Sequence, residues 1–244
     1  MSPETPDAIG IVLPSYNEAE NIAALVTAIR AAVAGATIVI VDDSPDLATV
    51  NALEPLRGPA VRVIHRGTKG GRGSAVFRGI DELLAAGCGT IVEMDADFSH
   101  APEQIPQLAA ALAGADMVVA SRYVRGGRIV NWPLRRRLFS RAANAIARTL
   151  LGVPIHDYTG GYRAYSRRAA ELIVETCGKI GRGFIPLSEV AVNVHYRGLR
   201  VVEVPTTFVN RARGKSSFGA GEIWEAARGL ARLYALKRRL ARRP

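Results

Sequence analysis

The sequence predicts an α/β protein with a Rossmann-like, mainly parallel sheet flanked by helices. Short apolar runs alternate with stretches of helical periodicity, and each of the first four runs passes at its carboxyl end into a polar or glycine-rich motif. No internal repeat, low-complexity tract or Pro/Ser-rich linker interrupts this order. With 244 residues, 48% of them hydrophobic, the chain can bury a sizeable core, and a single domain is the default.

Residues 9 to 13 are the first apolar run, ended by Pro14, after which Ile22, Leu25, Val26, Ile29 and Val33 recur at helical spacing. This reads as strand then helix, with Asn17 as the cap and Glu20 closing a capping box. Residues 36 to 41, 61 to 64 and 90 to 94 supply three more buried strands, with helical patterns between them. Further strands are expected at 117 to 120, 162 to 166 and 199 to 204, and a helix over 134 to 151. Ligands of such a sheet gather outside the carboxyl ends of its strands. Those ends run into Ser15-Tyr16-Asn17-Glu18, Asp42-Asp43-Ser44, the stretch from Gly67 to Gly73, and Asp95-Ala96-Asp97, so four strand ends converge on one site.

Asp95 and Asp97 flank a single alanine directly after a buried strand, a spacing that lets both carboxylates hold one hard divalent cation, magnesium or manganese. A cation held so would bridge to a diphosphate and neutralise charge growing on a leaving group. Asp42 and Asp43 suit hydrogen bonds to ribose hydroxyls or base NH groups. Lys69 and Arg72, among glycines 67, 70, 71 and 73, make a basic segment able to approach phosphate closely, although it lacks the GxxxxGK[ST] pattern of a Walker loop.

Lys and Arg outnumber Asp and Glu by 32 to 22, a net charge of +10 that points to anionic partners. Residues 117 to 156 concentrate this charge, with eight arginines and no acid. The guanidinium fork matches phosphate oxygens in pairs and stays charged, so Arg122, Arg135, Arg136, Arg137 and Arg141 suit a monophosphate, while Arg128 and Arg148 read as solvated. Cys88 and Cys177 lie far apart without CxxC spacing, which suggests neither a disulfide framework nor a zinc site and favours reduced thiols. His65, His100, His156 and His195 lack metal spacing and read as ordinary polar or core residues. The opening MSPETPDAIG lacks a signal-peptide pattern and no apolar stretch reaches the ~20 residues of a spanning helix, so a cytoplasmic chain without a membrane span is expected.

The motifs PSYNEAENI at 14 to 22, VDDS at 41 to 44, KGGRGSA at 69 to 75 and DADFSHAPE at 95 to 103 together resemble family 2 glycosyltransferases with the GT-A fold. SRYVRGG at 121 to 127, NWPLRRRLFSRAAN at 131 to 144, DYTGGYRAY at 157 to 165 and VPTTFVNRARGKSSF at 204 to 218 narrow the resemblance to dolichol-phosphate mannosyltransferases, over roughly residues 9 to 220. The resemblance implies that Pro14, Tyr16, Glu18, Asp42 and Asp43 hold the nucleoside and that Asp95, Ala96 and Asp97 meet metal and diphosphate. Lys69 and Arg72 join this nucleotide-sugar set. Ser99 falls where some relatives carry a metal-binding Gln and others Ser. Arg122, Arg136 and Arg211 are assigned to phosphate contacts, with Ser140 beside them. Asp157 and Glu189 match acidic positions near the relatives' active site; sugar-hydroxyl contacts or, respectively, an N-cap and an exposed helix acid are the open readings.

The implied reaction is inverting transfer of mannose from GDP-mannose to a polyprenyl monophosphate. The acceptor oxygen is already anionic near neutral pH, so no general base is named. The family's Gly-Leu-Gly is Gly71-Arg72-Gly73 here, a drift toward the dolichol-phosphate glucosyltransferases that keeps UDP-glucose as a second donor reading. The G-x-S-K pattern is Gly214-Lys215-Ser216-Ser217.

Residues 1 to 220 are expected to form the catalytic domain and 221 to 244 a basic amphipathic C-terminal helix. Ile223, Ala227, Leu230, Tyr234 and Leu240 can share one face of it, and Arg228, Arg232, Lys237, Arg238, Arg239, Arg242 and Arg243 supply charge for attachment to the cytoplasmic face of a membrane. A small membrane partner protein is the other route to the lipid. Nucleic acid is excluded as a partner because no recognised motif accompanies the charge and six Phe with two Trp offer little stacking surface. A nucleotidyltransferase would need a glycine/arginine signature where PSYNE stands. Transfer to a soluble small molecule remains the rival reading.

Overall fold

A computed structural model describes residues 8–181, 183, 185–210 and 220–242. The elements follow the chain as β1 (Ile9–Ser15), α1 (Ile22–Ala32), β2 (Thr37–Asp42), α2 (Ala48–Leu53), β3 (Val61–His65), α3 (Arg72–Ala85), β4 (Thr90–Glu93), α4 (Ile105–Ala111), β5 (Met117–Ser121), β6 (Arg128–Val130), α5 (Leu134–Leu151), β7 (Arg163–Ser166), α6 (Arg167–Thr176), α7 (Ile185–Tyr196), β8 (Val201–Pro205), β9 (Thr207–Val209) and α8 (Ala220–Leu240). The seven-stranded sheet has the order β3-β2-β1-β4-β7-β5-β8, and β6 pairs with β9 in a small second sheet. Within the large sheet β7 alone runs against its neighbours, between β4 and β5.

The period-2 alternation of each strand builds a core on either side. From β1 and β2, Ile11, Leu13, Ile38 and Ile40 face Leu25, Val26 and Ile29 of α1. Val12, Val39 and Val41 face Val76, Ile80 and Leu83 of α3. Gly79 makes that second contact close, since a Cβ there would stand 2.2 Å from Val12 Cγ2. The expected strands and the helix at 134 to 151 are present within a residue or two at each end.

The start of α1 differs from expectation. Its N-cap position is Asn21, which makes no side-chain capping bond. Asn17 instead takes a left-handed conformation, φ 59°, and its N–H donates to Ser44 Oγ at 2.9 Å. Asparagine tolerates this region better than most residues, and the turn ties the end of β1 to the end of β2.

The C-terminal helix also departs from the expected pattern. Gly229, Leu233 and Leu240 of α8 are buried, whereas Ala227 and Tyr234 stay exposed. The buried edge packs against α7 and α5, with a Cβ on Gly229 placed 2.5 Å from Ile185 Cγ1. Ile223's side chain and Arg243 lie outside what is described. No helix among the described residues is long and apolar enough to cross a membrane.

Candidate active site

The carboxyl ends of β1 to β4 come together, and hydrogen bonds join their motifs directly. Asp42 is fully buried; Ser44 Oγ donates to its Oδ1 at 2.7 Å and its Oδ2 lies 3.0 Å from His65 Nδ1. Asp43 accepts the Arg66 fork, Nε to Oδ1 at 2.5 Å and Nη2 to Oδ2 at 2.7 Å. The same Oδ2 accepts from the backbone N–H of Gly70 at 2.8 Å and Gly71 at 3.1 Å. Asp43 thus shapes the glycine-rich loop as well as bordering the crevice. Above it Lys69 Nζ sits 4.5 Å from the centre of the Tyr16 ring, itself exposed. Pro14 lies within β1, and Glu18 is buried, accepting from Asn21 Nδ2 at 3.0 Å.

After β4, Asp95 accepts at Oδ1 from Arg72 Nε at 2.8 Å, and its Oδ2 stands 3.5 Å from His100 Nε2. Burial would raise the Asp95 carboxyl, but the Arg72 guanidinium and His100 outweigh it and hold the group well below the usual carboxylate range. Ala96 is buried among the α1-side core residues. Asp97 Oδ1 accepts from the Ser99 N–H at 3.0 Å. The non-glycine residues of positive φ among those described are Asn17, Phe98 and Asn131. Phe98 follows the acids directly and Asn17 follows β1, so backbone strain is stored at this site.

Two carboxylates are hard oxygen donors. The nearby Ser99 Oγ is buried without a hydrogen-bond partner among the described residues, as is Nδ1 of His100. No three His, Cys, Asp or Glu side chains converge as a ligand set among the described residues. This donor set fits magnesium or manganese, which take one or two carboxylates and complete their shell with substrate phosphates and water.

An aromatic row leads from the acids to the arginines. His100 packs on Phe208 with ring centroids 5.4 Å apart, and Phe208 on Trp132 at the same 5.4 Å. Val209 N–H donates to Ser99 O at 3.1 Å, fixing β9 against the acidic loop. Arg122 and Arg136 both lie over Trp132, 5.5 and 4.0 Å from the ring centre. Arg122 is buried and donates from Nε and Nη2 to Asp157 at 2.7 Å each, and from Nη2 to Thr159 Oγ1 at 2.7 Å. Burial opposes the Asp157 charge, yet Arg122 holds that carboxyl below its ordinary range. Arg136 Nη1 donates to Asn210 Oδ1 at 3.1 Å; burial and then the neighbouring Arg122 weaken its hold on its proton. Ser140 Oγ accepts from Tyr123 Oη at 2.7 Å, one turn along α5. Arg211 lies outside the described residues.

Residues 10–173 match the family model described as Glycosyl transferase family 2. The chain is a family 2 glycosyltransferase. It is 44% identical over 226 residues to polyprenol monophosphomannose synthase of Mycolicibacterium smegmatis, covering 88% of this chain and 83% of that one. It is 40% identical over 225 residues to undecaprenyl-phosphate mannosyltransferase of Micrococcus luteus, covering 88% and 89%. Identity to dolichol-phosphate mannosyltransferase of Pyrococcus furiosus is 38% over 231 residues, 92% of this chain but 63% of that longer protein. Among solved structures, glucosyl-3-phosphoglycerate synthase from Mycobacterium tuberculosis with Mn2+, UDP-glucose and phosphoglyceric acid superposes with a TM-score of 0.66 at 20% identity, covering 95% and 79%. That likeness establishes the GT-A-like fold.

Glu93 and Arg66 of this glycosyltransferase's site escape a sequence reading, and the surroundings of Asp157, Glu189 and His100 are settled by the fold. Glu93 sits inside the apolar run of β4 and meets Arg72; its only signal was an acid two positions before Asp95. Asp157 turns out to be buried beneath Arg122 rather than serving as a helix cap. Glu189 is buried, not an exposed helix acid, and accepts from the Gly178 N–H at 3.1 Å. His100 and Arg66 are contacts set by tertiary packing, with no local pattern to announce them.

Proposed function

We propose that this glycosyltransferase moves mannose from GDP-mannose to a polyprenyl monophosphate with inversion. The observation that carries this reading is the pair Arg122 and Arg136, like charges held over one indole beside the acid loop, in a stretch without acids. Asp157 meets the charge of Arg122, whereas Arg136 has no carboxylate partner among the described residues, so an anion lodged against Arg136 would supply its missing counter-charge. Arg122 is close enough to feel the charge of Asp95. An acceptor phosphate held there adjoins a donor diphosphate at the acids. The names of the relatives, all mannosyl transfer to polyprenyl phosphates, support the same substrates.

Asp95 and Asp97 would hold Mg2+ or Mn2+, which when bound supplies positive charge to the leaving diphosphate. Pro14, Tyr16, Glu18, Asp42 and Asp43 border the nucleoside, and Lys69 reaches over Tyr16 toward the phosphates. Asp157 locks the Arg122 fork, and Tyr123 fixes the Ser140 hydroxyl, so the acceptor phosphate meets preset donors. Residues 1 to 220 serve as the catalytic unit, with the basic helix beyond as an appendage.

The membrane surface is met first by α5. Leu134, Leu138, Phe139, Ile146 and Leu150 are exposed along its outer side, whereas Leu233 and Leu240 of α8 are turned inward and Trp224 and Tyr234 alone among its large apolar side chains are exposed among the described residues. Arg137, Arg141 and Arg148 follow one flank of that face, and Arg122, Arg141, Arg148 and His156 line a cavity of about 430 Å³ beside it. An apolar helix face edged with arginines is the pattern of a helix lying in the headgroup layer. Arg148 is exposed, as expected, and in this reading it faces the headgroups. The helix lies against the cytoplasmic leaflet in this reading, with the basic outer side of α8 adding attraction. Leu138→Asp is expected to reduce sedimentation with liposomes about tenfold without unfolding the protein. Unchanged sedimentation would assign the face to something other than lipid.

Incubation with Mn2+, radiolabelled GDP-mannose or UDP-glucose, and a polyprenyl phosphate tests the reaction. Label entering organic solvent from GDP-mannose is the expected result. Label entering from UDP-glucose instead would reassign the donor, and label confined to a water-soluble product would reject the lipid acceptor.

A further inference from the structure

Glu93 stands between Val92 and Met94 with its side chain 2% exposed. A carboxylate so placed is costly unless it is paired. It is paired twice, accepting from Arg72 Nη1 at 2.5 Å and from Tyr165 Oη at 2.6 Å. The same guanidinium gives Nε to Asp95 Oδ1 at 2.8 Å and Nη2 to the Gly161 carbonyl at 3.1 Å. Glu93 ends β4, and the chain running on to Asp95 brings both side chains to the first turn of α3, so one planar fork spans both acids. Gly161 leaves the room this requires, because a Cβ there would stand 2.2 Å from Arg72 Nη2.

We infer that Arg72 is a positioning residue that pins Asp95 by one oxygen, and that Glu93 is the counter-charge that lets it do so without weakening the cation site. This rests on the proposed reading of Asp95 and Asp97 as holders of the cation. Arg72 and Glu93 cancel, which leaves the cluster with the charge of its two aspartates. Were Glu93 neutral, Arg72 would cancel half of that charge. Each nitrogen of Arg72 already donates to a protein acceptor. Arg72 therefore bears on how the acid is held rather than on which sugar is chosen.

The test is a titration of the whole chain with Mn2+ in the presence of GDP, following free Mn2+ by electron paramagnetic resonance, with circular dichroism to confirm folding. Glu93→Gln is expected to weaken Mn2+ binding at least about tenfold, since one unit charge is lost beside a divalent ion. Adding Arg72→Leu to Glu93→Gln should bring the affinity back to within about threefold of the parent, because the pair has been removed as a unit. Turnover of the double variant should stay low, with Asp95 no longer pinned. Parent-like binding by Glu93→Gln, or a double variant no better than Glu93→Gln, would overturn the inference. Arg72→Lys offers a second arm that leaves Glu93 in place. It keeps the charge but loses the fork, so kcat should fall about tenfold while Mn2+ affinity holds within about threefold. Parallel loss of both would count against positioning. Asp97→Ala separates the two levels. If it leaves Mn2+ binding intact, the acids are not the cation site. If it abolishes binding while Glu93→Gln does not weaken it, only the role given to Glu93 fails.

Discussion

Asp97→Asn will lower mannosyl transfer about 100- to 1,000-fold with little change in thermal stability, the scale seen when one charged or polar group aimed at a developing oxyanion is removed. The side chain is only partly buried, and its Oδ1 accepts from the Ser99 N–H. If the cation site is where the geometry puts it, raising Mn2+ will recover part of the lost rate at subsaturating metal. Steady-state kinetics across a Mn2+ series checks this, and a variant retaining full activity would remove the acids from the mechanism. Asp95→Asn is a less clean probe, because Asp95 is also an ion-pair partner of Arg72.

Arg136→Ala will raise the KM for polyprenyl phosphate roughly 10- to 100-fold, the equivalent of one or two charge-assisted hydrogen bonds. The affinity for GDP will stay within about threefold, since the described contacts of Arg136 are to Trp132 and Asn210 rather than to the ends of β1 and β2. Fluorescence titration with GDP beside acceptor kinetics separates the two sites. Equal losses on both sides would mean that the arginine pair serves donor and acceptor alike. Arg122→Ala is expected to be worse and harder to interpret, because it strands the buried Asp157 carboxylate without its partner.

The contrast between these two arginines shows what a sequence can and cannot announce. Period and apolarity placed β1 to β5 and α5 because those signals are local. The four polar motifs converged because parallel strands put their carboxyl ends on one edge. Partnerships across the fold carry no such signature. Arg122 and Arg136 look alike in a run of arginines, yet one is locked on Asp157 and the other stacks on Trp132. Asp43 reads as a ligand for a nucleoside, but the fold also uses both its oxygens to hold Arg66 and the glycine-rich loop. Arg72 reads as a phosphate contact and instead turns inward to Glu93 and Asp95. An apolar face was expected on the last helix, where side-chain spacing permits it; α8 turns Leu233 and Leu240 inward and keeps Trp224 and Tyr234 exposed, and α5 exposes Leu134, Leu138, Phe139, Ile146 and Leu150 as well. Choosing between two amphipathic helices needs knowledge of what each one packs against.

Anomalous diffraction from crystals grown with Mn2+ and GDP gives the most direct test of how the strand-end acids act. A single manganese peak between the Asp97 carboxylate and the diphosphate, with Asp95 still held by Arg72, is the expected density. A diphosphate seated at the strand ends with its manganese away from Asp97 would contradict it.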